Sequence, residues 1–184
     1  MRAPGFARQT RTRPALLLVA ALLPAGFASA EEGDWTTEHI PPAAPWRERA
    51  VDLPGYPQPQ DLLEISVQTG NYPYRVFVDR ASLATGEDGV VRYAVVVRSQ
   101  AGAENVSFEG IHCKERRFRR YAYGYDDSWQ TIDGDDWQPL HPGGMGHYRF
   151  VLYRDYVCDP SNPRMKVNEM IQRMRYSRGA VLDD

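Results

Sequence analysis

From Leu62 onward, apolar and polar residues alternate with period two, the pattern of half-buried strands. Leu63, Ile65 and Val67 fall on one side, and Glu64, Ser66 and Gln68 on the other. Asn71-Tyr72-Pro73 breaks the run. Tyr74, Val76 and Val78 then alternate with Arg75 and Asp79 as a second strand. Gly86-Glu87-Asp88-Gly89 is turn-forming. A third strand follows, with Val91, Tyr93, Val95 and Val97 on one side and Arg92, Ala94 and Arg98 on the other, and Ala101-Gly102 turns the chain back. In the stretch Asn105 to Cys113, Val106 and Phe108 share one face while Ile111 and Cys113 share the other. Gly110 lies between them, and a glycine bulge there would bring all four to one side. Arg116 to Tyr125 reads as a fifth strand with Tyr121, Tyr123 and Tyr125 along one face.

The period then changes. Asp126 to Gly146, rich in Asp, Gly and Pro, reads as loop. His147 to Cys158 has strand-like composition, but Tyr148, Leu152 and Tyr156 are spaced for a helix, and the balance tips slightly to helix. Pro163 opens a clearer helix, in which Val167, Met170, Ile171 and Met174 form an i, i+3, i+4, i+7 stripe and Arg173 and Arg175 lie near the C-terminal end. The expected architecture is α+β: an antiparallel sheet of about five strands covered by a C-terminal helix.

Ahead of the sheet the chain has two other textures. Arg2, Arg8, Arg11 and Arg13 precede an apolar run, Ala15 to Leu23, that ends in Ala28-Ser29-Ala30. That order describes a secretory signal peptide at residues 1–30, cleaved after Ala30. The run is too short for a bilayer span, which needs about 20 residues. Glu31 to Gln60 carries Pro41, Pro42, Pro45, Pro54, Pro57 and Pro59, which disfavour helix and cannot donate to a ladder. Residues 31–60 therefore read as an extended arm, pinned by Trp35, Trp46 and Tyr56, although Trp46-Arg47-Glu48-Arg49 has the makings of one helical turn. Residues 61–184 read as one domain.

Composition adds charge and compartment. Loss of the leader removes four of the 22 basic residues and none of the 24 acidic ones, taking the net charge from −2 to −6. An acidic balance argues against nonspecific nucleic-acid binding. No later apolar stretch approaches membrane-spanning length, so no transmembrane segment is expected in the mature chain. Cys113 and Cys158 are the two cysteines. In an oxidising compartment a disulfide is the expected fate, since a metal site wants more ligands and a redox pair usually shows C-x-x-C.

Four groups carry candidate chemistry. His112 adjoins Cys113, but neighbours on a strand face opposite ways. His141 and His147 flank Pro142-Gly143-Gly144-Met145-Gly146, a glycine-rich stretch without the lysine and Ser/Thr of a P-loop. Asp126, Asp127, Asp133, Asp135 and Asp136 surround Trp129 and Trp137, in a spacing that fails the calcium-loop pattern. Arg116, Arg117, Arg119 and Arg120 surround Phe118 and form the candidate anion- or partner-binding group, because guanidinium forks recognise phosphate or carboxylate bidentately. No nucleophile–base motif, metal-ligand spacing or cofactor-binding signature is present, so no cofactor is expected.

The runs Phe77-Val78-Asp79 with Ala81-Ser82-Leu83, Val90 to Ser99, Gly102 to Ile111, Arg117 to Gly124, and Leu152 to Tyr156 before Cys158 resemble the cryptic neisserial protein 1-like family. The resemblance covers most of the chain from about Trp46. It implies an uncharacterised exported bacterial protein and supplies no catalytic residues. The expected function is a periplasmic or cell-envelope protein with a non-enzymatic binding or structural role. Its partner would be an envelope component: protein, lipid headgroup or polymer. The alternative is an envelope-polymer hydrolase with its site at the Asp126–Asp136 loop and His141 and His147.

Overall fold

The computed structural model describes residues 45–67, 72–163 and 165–176. The leader, its cleavage position after Ala30, Trp35, Pro41, Pro42 and the strand break at Asn71 lie outside the described residues. From Ala44 the chain forms one compact unit.

A 3-10 turn, Pro59–Asp61, leads into an antiparallel sheet. Its strands are β1 (Leu62–Ile65), β2 (Tyr74–Thr85), β3 (Val90–Ser99), β4 (Glu104–His112), β5 (Arg117–Tyr125) and β6 (Ser128–Thr131), and a two-residue β7 (Gln138–Pro139). They lie side by side in chain order from β1 to β6, while β7 pairs with β5. The α+β antiparallel architecture is the one expected, with more strands than about five. The two extra strands come from the segment read as loop. Asp126 and Asp127 have φ of 50° and 55°. Left-handed backbone at both central residues is what a tight I′ hairpin turn requires, and Asp tolerates it. The pair therefore joins β5 to β6 directly.

The face expected to be apolar packs under helices. Ile65, Val76, Val78, Val91, Tyr93, Val95, Ile111 and Phe118 form one buried cluster with Tyr148, Val151, Leu152, Met170 and Met174. The helices are α1 (His147–Val151), which widens without a break into a π-helical stretch, Leu152–Val157, and α2 (Val167–Tyr176). In the π stretch the Cys158 N–H donates to the Tyr153 carbonyl at 3.2 Å, a five-residue step. Cys158 is joined to Cys113, at the end of β4, with 5.5 Å between Cα atoms. Closing this 45-residue separation removes unfolded-state entropy worth about 4 kcal/mol in the chain-entropy model.

The opposite face is covered as well. Phe77, Val96 and Val106, and beside them Ala94, Phe108, Tyr121 and Ala122, pack under Val51, Tyr56 and Trp129. Residues 45–58 have no regular secondary structure, so Trp46-Arg47-Glu48-Arg49 forms no helical turn. They run as a strap over this second face, where the Trp129 indole N–H donates to the Pro54 carbonyl at 2.8 Å. A strand covered on both sides has no solvent face, and Val90 to Val96 are accordingly all buried.

Two irregularities set the register. Between Asp79 and Ala84, β2 places four residues opposite the single residue Tyr93 of β3. Asp79 holds that bulge together by accepting from the Ala81 and Ser82 N–H groups at 3.1 Å each, and the Ser82 hydroxyl accepts from the Ala94 N–H at 2.8 Å. The second bulge corrects the expectation at Gly110. The ladder runs regularly through Gly110 on both sides, opposite Arg92 and Arg119, and the extra residue is Tyr121 of β5. Val106 and Phe108 therefore face the strap, and Ile111 and Cys113 face the helices. Glycine is needed at 110 for space: a Cβ there would lie 2.6 Å from the Tyr121 hydroxyl and 2.8 Å from Val90 Cγ1. The bulge also removes Tyr121 from the expected tyrosine row. It turns inward beside Ala122, while Tyr123 and Tyr125 remain exposed.

Glu109 points into the helix-side core and is completely buried. It accepts two hydrogen bonds from Arg149 of α1 at 2.8 and 2.5 Å, one from Tyr148 at 3.0 Å and one from Ser107 at 2.8 Å. Burial alone would raise this carboxyl's pKa. The Arg149 charge and these hydrogen bonds outweigh it and hold the pKa below the usual carboxylate value.

Candidate functional site

The strap is anchored by two carboxylates. Glu48 accepts from Arg119 at 2.7 Å, from the Tyr121 hydroxyl at 2.6 Å and from the Trp137 indole N–H at 3.2 Å. Asp88, in the β2–β3 turn, accepts a two-pronged contact from Arg92 at 3.1 and 2.7 Å and the Arg49 backbone N–H at 2.9 Å. Burial works against the Asp88 anion, but these bonds and the Val90 N–H prevail and bring its pKa down to about 2. The Trp46 indole N–H donates to the Asp88 carbonyl at 2.8 Å. That bond and stacking on His112, with ring centroids 4.6 Å apart, hold Trp46 at the sheet margin. Desolvation lowers the His112 pKa, which favours its neutral form.

Trp46 and His112 form one side of a cleft of about 550 Å³ that reaches to the disulfide. Its base is apolar: Val91, Val157, Met165 and Met170, all buried, beside the Cys113–Cys158 bridge. Tyr153 of the π-helical stretch also lines it. The sequence builds this hollow by topology. The β4–β5 turn, the β2–β3 turn and the segment between the π-helical stretch and α2 meet at the end of the sheet where Cys113 binds Cys158. Volume and apolar character match small-molecule sites, which run about 300–1,000 Å³ with a few polar groups.

The charged groups of the lining divide by sign. Asp88 is paired with Arg92 at 2.7 Å, Glu87 with Arg49 at 2.6 Å, and Asp159 with Arg173 at 2.6 Å. Hydrogen bonds from Ser161 and Arg173 bring the Asp159 pKa down to about 2. Lys114 and Arg116 are exposed, and among the described residues neither side chain has a carboxylate partner. Glu115, between them in sequence, does not line the cleft. Among the described lining residues, the charged side chains without an opposite partner are the two cations.

The four arginines flagged from sequence separate. Arg119 is drawn under the strap by Glu48. Arg120 donates to Tyr123 and lies 3.8 Å from Glu109 on the helix side. Arg117 is exposed in β5 opposite His112 and Pro139, and Arg116 alone reaches the cleft. The aspartates and late histidines disperse too. Asp126 and Asp127 are the β5–β6 turn, Asp135 accepts from Gln138 at 3.2 Å, and His141 is exposed. His147 is buried at the start of α1, where its Nδ1 accepts the Gly143 N–H at 2.7 Å. His147 and Gly143 border a smaller cavity of about 390 Å³ with Tyr72, Tyr74 and Met145. Burial pushes the Tyr72 pKa up to about 12. Neither of the two cavities brings His141 or His147 together with these aspartates. Among the described residues, no three His, Cys, Asp or Glu groups gather as metal donors, and no helix is long and apolar enough to cross a membrane.

Sequence reasoning singled out Trp46 as a pin and Arg116 as a cation, but not Lys114, Met165 or the cleft they share. These residues lie on separate segments, and no spacing rule links them.

Comparison with known proteins follows the same outline. The profile of the CNP1-like family matches residues 42–175, which spans the strap, the sheet and both helices. The chain is 25% identical over 195 residues to cryptic neisserial protein 1 of Neisseria gonorrhoeae (strain ATCC 700825 / FA 1090), covering 91% of this chain and 94% of that protein. No solved structure matches.

Proposed function

The chain belongs to the CNP1-like family, and from that premise we propose that it is an exported protein of the periplasm or outer-membrane surface. In this reading residues 1–30 are removed, residues 31–60 are the arm, and residues 61–184 are the domain it straps. The domain acts without catalysis, as a binding module for an envelope component. The leader pattern supports export, and the Cys113–Cys158 bridge fits an oxidising compartment.

The observation that carries the binding role is the cleft itself, an apolar hollow of about 550 Å³. Its polar groups favour holding over reacting. Asp88 is committed to Arg92, and beside His112 the described lining holds no serine or free thiol for it to activate, since Cys113 and Cys158 are bonded to each other. The experiment is fractionation of native cells, followed by intact and native mass spectrometry of the recovered protein. The expected result is an envelope-fraction protein that starts at Glu31, is two hydrogens lighter than its dithiol form, and carries a small-molecule adduct. The adduct should disappear in Thr85→Trp, which fills the mouth of the cleft. An uncut cytoplasmic chain, or an adduct indifferent to Thr85→Trp, would overturn the proposal.

A further inference from the structure

We propose that the cleft takes a small amphiphilic anion, with its apolar body against Met165, Met170 and the disulfide and its head group between Lys114 and Arg116. The inference rests on the cleft being a binding site and adds the class of ligand. Two observations carry it. The base of the cleft is formed by buried apolar side chains, which exclude water and reward an apolar occupant. Of the described charged side chains that line it, the acids Glu87, Asp88 and Asp159 are each paired with an arginine, whereas Lys114 and Arg116 have no carboxylate partner. A neutral ligand would leave both cations unused, and a cationic one would meet two like charges.

The ligand is a free molecule rather than a bilayer surface. Two cations supply only about 1 kcal/mol each toward an anionic membrane. The chain as a whole is net negative, at −2, so an anionic bilayer repels the rest of it. A monomeric amphiphile needs only the local positive charge and the apolar wall.

The backbone makes a clean test available. Arg116 has φ of 52°, a left-handed conformation that Asn tolerates better than most residues. Arg116→Asn therefore removes the charge without loss of fold, and Lys114→Glu reverses an exposed charge. The exported protein is titrated calorimetrically with decanoate and with decyltrimethylammonium, which share a chain and differ in head-group charge. Decanoate should bind one to one, and decyltrimethylammonium at least about tenfold more weakly. Lys114→Glu/Arg116→Asn should weaken decanoate by about tenfold or more, and Thr85→Trp should abolish it.

Equal binding of the two amphiphiles would overturn the anionic assignment, and so would decanoate binding indifferent to the charge variant. Binding confined to phosphatidylglycerol vesicles would overturn the free-molecule assignment. If neither amphiphile binds, the native-mass adduct separates the failures. An adduct lost in Thr85→Trp means that only the ligand class is wrong, and no such adduct means that the cleft reading falls as well.

Discussion

Arg149→Met would test how α1 is tied to the sheet. It removes the guanidinium that donates to Glu109 at 2.8 and 2.5 Å and leaves a carboxylate with no accessible surface. The next cation, Arg120, is 3.8 Å away and only partly compensates. Breaking one side of a buried pair costs about 3–5 kcal/mol. The Arg149 guanidinium also lies over Phe118 and Tyr148, at 4.3 and 4.6 Å, contacts worth about 0.5–2 kcal/mol. With Arg120 moderating the loss, about 3–4 kcal/mol is expected, a large share of the 5–15 kcal/mol typical of a domain. Removing both charges in Glu109→Leu/Arg149→Met should bring the protein back to within about 2 kcal/mol of the parent, because no buried ion is left unpaired. Urea unfolding of the oxidised protein, followed by tryptophan fluorescence, measures all four corners of the cycle. A loss below about 1 kcal/mol in Arg149→Met, or additivity within about 0.5 kcal/mol, would refute the reasoning.

Three further outcomes follow from the same contacts. Asp88 has a folded pKa near 2, below its ordinary value, so its stabilisation is present above the ordinary aspartate range and lost as pH falls from about 4 through 2; the urea midpoint should drop over that window, and Asp88→Asn should flatten the drop. Glu48→Gln should lower stability by about 1–3 kcal/mol by weakening the charge-assisted bonds from Arg119, Tyr121 and Trp137; limited trypsinolysis should then cut after Arg47 or Arg49 faster than in the parent, and an unchanged cleavage rate would count against the strap anchor. Replacing Asp126-Asp127 with Asn-Gly, the preferred I′ pair, should stabilise by about 0.5–1 kcal/mol in thermal unfolding.

Much of the fold was legible because the strands alternate strictly outside their two bulges. The sides assigned to Leu63 and Ile65, to Val76 and Val78, and to Val91, Tyr93 and Val95 are the sides they occupy in the helix-facing core. The stripe through Met170 and Met174 likewise marks the buried side of α2. What escaped depended on contacts between distant segments. Gly110 read as a bulge because glycine serves both irregular backbone and close approach, and only the position of Tyr121 decides between them. The second covered face had a signal that alternation obscured: Val90 to Val97 is almost continuously apolar, as expected of a strand buried on both sides. The cleft had no signal in spacing, since Trp46, Lys114, Cys158 and Met165 come together only through the topology.

The cleft beside the disulfide is tested most directly by isotope-filtered NMR of the exported protein with bound decanoate. The account predicts cross-relaxation from the alkyl chain to the Met165 and Met170 methyl groups and the Trp46 indole, with the carboxylate end nearest Lys114. Cross-relaxation confined to Tyr72 and Tyr74 around the smaller cavity, or to exposed Tyr125, would contradict it.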